Sequence, residues 1–68
     1  MGDLQKFGFT PEAEKVAAEF YTYALEVTAT SQERNAAFTV ARASVGSRLD
    51  PMYWVVAELA LRRIVGNR

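Results

Sequence analysis

A chain of 68 residues with no cysteine, no histidine and a formal net charge of zero at pH 7 is one small domain at most. The composition excludes a disulfide scaffold, the usual zinc and copper ligand sets, a thiol nucleophile and a Ser-His-Asp triad. Chains this short bury only about 60% of their unfolded surface, so stability has to come from close helix packing, from association, or from both.

Residues 1–9, "MGDLQKFGF", read as an N-terminal arm. The arm lacks an apolar run long enough for a signal peptide, and Lys6 stands where the lipidation pattern beginning at Gly2 requires Ser or Thr. The longest apolar stretch, Met52 to Leu61, contains Glu58 and is about half a membrane span. A cytoplasmic protein that does not enter membranes is expected. Six arginines against two lysines, with frequent Ala and Val, suggest a bacterial or phage origin.

The first helix is predicted over 11–29. In "TPEAEK", Thr10 caps, Pro11 takes the first helical position, where a missing N–H costs nothing, and Glu12 and Glu14 face the positive end of the helix dipole. Ala13, Val16, Ala17, Phe20, Ala24 and Val27 recur at spacings of three and four and form the expected core stripe.

The second helix is predicted over 31–45. Thr30 and Glu33 fit a capping box, and Gly46 suits a left-handed stop. Its expected stripe is Ala37, Val40, Ala41 and Ser44. The alanines there leave room for large residues opposite, such as Phe20 and Trp54.

The third helix is predicted over 51–65, with Asp50 as cap, Pro51 opening it and Gly66 ending it. No stretch alternates like a strand. The fold class is therefore all-α: a three-helix bundle, one domain over 1–68.

This last helix is apolar on most sides. At about 100° per residue its apolar arc spans roughly 240°, whereas a surface helix shows a stripe a little over 100° wide. Two short helices are not expected to cover all of it, and a wet patch of that size is unusual on a monomer. The expected outcome is a homo-oligomer, with a dimer the first choice, joined through Met52, Tyr53, Val56, Leu59, Ala60 and Arg63. The competing outcomes are cover by Phe7 and Phe9 folding back from the arm, and a groove for a second protein.

Charge divides the chain. Up to Glu33 two lysines oppose six acids; from Arg34 onward six arginines oppose Asp50 and Glu58. Glu12, Glu19 and Glu26 recur every seven residues and form a row on one helix face, a candidate acidic docking strip. Neighbours in that row lie about 10 Å apart along the axis, too far to share a metal ion or a proton. Lys6 and Lys15 lack the burial that would activate them, and no phosphate loop or calcium loop is present. No enzymatic activity, metal or cofactor is expected.

The functional expectation is a small, non-enzymatic, self-associating helical module that binds protein or regulates. The alternative is a small helix-turn-helix-like DNA-binding regulator, with Arg34, Asn35, Arg42 and Arg48 as its contacts. Zero net charge and a third helix too apolar for a wet groove weigh against it.

Overall fold

The computed structural model describes residues 10–68, which form α1 (Pro11–Glu26), α2 (Ser31–Ser44) and α3 (Pro51–Gly66). No strand occurs among the described residues. The arm at residues 1–9, and with it the expectation that Phe7 and Phe9 cover α3, lies outside them.

Each helix starts where its local chemistry requires. Thr10 Oγ1 accepts a 3.1 Å hydrogen bond from the amide of Ala13, with Pro11 at the first helical position. The Thr30–Glu33 box is complete: Glu33 Oε1 accepts from the Thr30 amide at 2.8 Å, and Thr30 Oγ1 accepts from the Glu33 amide at 3.1 Å. Asp50 Oδ1 accepts from the Met52 amide at 2.9 Å, ahead of a helix that Pro51 opens. Each bond satisfies an amide that the first helical turn leaves without a partner.

Two helix ends differ from expectation. α1 stops at Glu26, three residues short of Ala29. Thr28 adopts a left-handed φ of 49°; its amide donates to the Leu25 carbonyl at 3.1 Å, and the Ala29 amide donates to the Ala24 carbonyl at 2.9 Å. This is a Schellman termination with threonine where glycine is usual. α3 runs through Gly66 instead of ending before it, and Asn67 caps it with φ −99°. By contrast Gly46, at φ +96°, turns the chain out of α2 as a left-handed stop requires.

α3 is the central helix. α1 and α2 both pack along it and approach one another little at backbone level. The core pairs small residues with aromatics. Ala13, Ala17 and Ala24 of α1, Ala37 and Ala41 of α2, and Ala57 and Ala60 of α3 are buried, and they let the backbones come close. Phe20, Tyr53, Trp54 and Leu61 fill the space between. Phe20 and Phe38 bring α1 and α2 together, with ring centroids 5.1 Å apart. Trp54 meets both rings at 5.8 Å, in the edge-on arrangement that aromatic quadrupoles favour.

The expected stripes hold in part. Ala13, Ala17, Phe20 and Ala24 are buried, while Val16 and Val27 are half-buried. On α2 the buried line is Ala37 and Ala41; Val40 is 45% exposed and Ser44 is exposed. Val40 lies about 100° around the helix from Ala41, which turns it to the edge of the α2–α3 contact.

Candidate functional site

Three surface grooves follow from this arrangement, each with its own chemistry.

The first lies between α2 and α3. Met52, Val56, Leu59 and Arg63 succeed one another at spacings of four, three and four, so they form one stripe along α3. Val40 of α2 and Ile64 border the same channel, an open groove of about 350 Å³. Leu59 is 57% exposed and Met52 53%. Arg63 is the only charged residue along the groove among the described residues. Ala60, 9% exposed, forms its floor. Tyr53 departs from the expected interface set: at 1% exposure it is a core residue, because its position on α3 faces Phe38 and Trp54.

The second groove lies between α1 and α3. Glu19 and Glu26 border it from α1, and Glu58 and Arg62 from α3. The Arg62 guanidinium stands 4.4 Å from the centre of the Tyr23 ring and donates to Glu58 Oε2 at 2.9 Å. Its pKa is raised, chiefly by that hydrogen bond, with further favourable charge from Glu58, Tyr23 and Glu26. Two members of the acidic row therefore border a groove that has an arginine of the same chain across it. Glu12 and Glu14 lie exposed in the first turn of α1. Arg68 follows the same sign-matching: it donates to the Val27 carbonyl and lies 3.6 Å from Glu33 Oε1.

The third is a cleft where α1, α2 and the turn before α3 meet. Asn35, Thr39, Arg42 and Arg48 border it, above Phe38 and Trp54. Its volume is about 220 Å³. Trp54 Nε1 donates to the Arg48 carbonyl at 2.8 Å, which holds the turn against the cleft. Three of the four residues singled out for nucleic acid thus share one cleft. Arg34 does not. It lies beside Ala24, Thr28 and Ala29 at the end of α1, where its Nη2 donates to Ser31 Oγ at 3.2 Å. Its Nε is buried with no hydrogen-bond partner among the described residues. A cation there complements the negative end of the α1 dipole, which is a structural role.

Sequence reasoning missed the aromatic floor of this cleft. The signal was present: Asn35, Phe38, Thr39 and Arg42 recur at i, i+3, i+4 and i+7, one face of one helix.

No group of three acidic side chains close enough to hold a metal ion occurs among the described residues, and no helix there is long and apolar enough to cross a membrane. Comparison with protein-family models, curated proteins and solved structures finds no match to this chain.

Proposed function

We propose that the protein is a small, non-enzymatic module that self-associates through the α2–α3 groove, the partner being a second copy of the chain. The observation that carries this reading is the stripe Met52, Val56, Leu59 on the most apolar helix, left open beside Val40. An antiparallel pairing of two α3 helices crossing near Leu59 suits its one charge. Arg63 then lies about 6 Å along the axis from the crossing, so the two copies of Arg63 are about 12 Å apart, beyond the screening length of about 8–10 Å at physiological salt. In that register the aliphatic stem of each Arg63 covers the partner copy's Val56, with its charge in water.

Magnitudes set the strength. Met52, Leu59 and Val40 are each about half exposed, so covering them contributes about 2–4.5 kcal/mol per chain, or about 4–9 for the pair. Association costs about 4–15 kcal/mol in lost freedom, which leaves at most about 5 kcal/mol, so the dimer is a weak one, formed at roughly 0.1 mM to millimolar concentration. Light scattering after gel filtration, across that range, should show mass rising with concentration. Leu59→Glu should give a folded monomer at every concentration. A wild-type chain that stays monomeric at millimolar concentration ends this reading.

A second reading, binding to DNA, draws support from Asn35, Arg42 and Arg48 sharing a cleft. Burial of Tyr53, Trp54, Ala57, Ala60 and Leu61 makes α3 a core helix, so any groove-reading would fall to α2. A mobility-shift titration tests it, because phosphate contacts weaken steeply with salt.

A further inference from the structure

The cleft bordered by Arg42 and Arg48 is separate from the apolar stripe and lies on a different side of α2. We infer that it is a docking site for an acidic peptide segment of a partner protein, holding one carboxylate beside one apolar side chain.

Three observations converge on that occupant. Arg42 and Arg48 are both exposed, and neither has a carboxylate within 4.0 Å among the described residues. Arginine presents a planar fork that matches a carboxylate with two parallel hydrogen bonds. Asn35 and Thr39 add polar groups on the same helix face, two turns and one turn before Arg42. Phe38 and Trp54 supply an aromatic floor that is already rigid, since Trp54 is 4% exposed and its indole N–H is bound to the Arg48 carbonyl. A rigid floor loses little freedom when something binds to it.

Size and charge select among anions. At about 220 Å³ the cleft is smaller than the roughly 300–1,000 Å³ of ordinary small-molecule sites, and it suits one or two side chains of a peptide. Nucleic acid needs more cations than this: duplex binders commonly make about 6–10 phosphate contacts, and two arginines on a chain of zero net charge supply about two.

The test uses the full chain and a fluorescein-labelled synthetic peptide of repeated Glu-Phe-Asp-Leu, read by anisotropy. An otherwise identical peptide of Gln-Phe-Asn-Leu and a single-stranded oligothymidylate are run beside it. The acidic peptide should bind and the amide peptide should not. Arg42→Glu and Arg48→Glu should each weaken binding at least about tenfold, the effect of losing a charge-assisted hydrogen bond. Lys15→Glu carries the same charge change on the exposed side of α1 and should leave binding within about twofold, as expected of a remote, screened surface charge. Both arginines are exposed, and helical circular dichroism confirms that each variant is folded. The inference is overturned by no binding of the acidic peptide, by equal binding of the amide peptide, by arginine variants that bind as wild type does, or by an oligothymidylate that binds more tightly than the peptide.

Discussion

The indole nitrogen of Trp54 lies 2.8 Å from the carbonyl oxygen of Arg48, six residues earlier in the chain. This bond joins the core of the bundle to the turn between α2 and α3, and it satisfies the N–H of a side chain only 4% exposed. Trp54→Phe keeps a ring in the core but removes the donor and shrinks the side chain. The expected loss is about 2–4 kcal/mol, from an unpaired carbonyl and a partly emptied site. Urea denaturation followed by circular dichroism measures it, and a loss below about 0.5 kcal/mol, the level of an ordinary surface substitution, contradicts the assignment.

Two left-handed positions give opposite expectations. Thr28, at φ 49°, carries a β-branched side chain in a conformation that suits glycine. Thr28→Gly should raise stability by about 0.5–1 kcal/mol, after the loss of the hydroxyl's bond to the Val27 carbonyl is set against the relieved strain. Gly46→Ala should lower it by about 1 kcal/mol or more, because φ +96° disfavours a Cβ even though no atom there crowds it. Thermal melting of the two variants side by side checks both signs.

Leu59 and Leu61 are two residues apart on α3 and have opposite surroundings. Leu61 is fully buried and Leu59 is 57% exposed. Leu61→Ala should cost about 2–5 kcal/mol, the usual range for emptying a core site. At a dilution where the chain is monomeric, Leu59→Ala should cost about 1 kcal/mol or less, in line with its partial burial. Denaturant midpoints at two protein concentrations separate the roles, since only the Leu59 variant should lose the concentration dependence of its midpoint.

Glu33 has two partners: the Thr30 amide at 2.8 Å and the Arg68 guanidinium at 3.6 Å. Glu33→Gln preserves the capping box and removes only the charge, so a loss within about 0.5 kcal/mol is expected for a partly exposed pair. Glu33→Ala removes both and should cost about 1 kcal/mol. If the two variants lose the same amount, the ion pair and not the cap holds this junction. Urea titrations at low and high salt decide the matter, since salt weakens only the charged part.

Helix starts were legible in the residues because capping is local. Thr10, Thr30 with Glu33, and Asp50 with Pro51 act within three positions of themselves. The end of α1 was not legible, because threonine at Thr28 carries none of the preference for left-handed backbone that marks a stop. Gly66 shows the converse: it stays within the helix without a positive φ, so a glycine alone does not mark a stop. The width of the apolar arc of α3 was legible in the spacing of its residues, but its division was not. Two helices pack along α3 on different sides, so two contact lines together account for most of the arc, and Tyr53 falls within one of them. A helical projection cannot place those lines, because their angle depends on how α1 and α2 are disposed in space. The α2 side of the cleft at Arg42 was legible as one helix face, but joining it to Trp54 depended on the same information, since the floor combines Phe38 of α2 with Trp54 of α3 and the rim includes Arg48 of the following turn.

The central place of α3 also governs when the chain can fold as it is synthesised. α1 and α2 emerge first, and both keep their apolar faces for a helix that is not yet made. Isolated helices of 14 and 16 residues are marginal in water. The first two segments therefore leave the ribosome as fluctuating, exposed chain, and cooperative collapse awaits translation of the third. The α2 contacts with α3 are close in sequence, whereas the α1 contacts with it, such as Phe20 on Trp54, reach across all of α2 and carry the larger loop-closure cost.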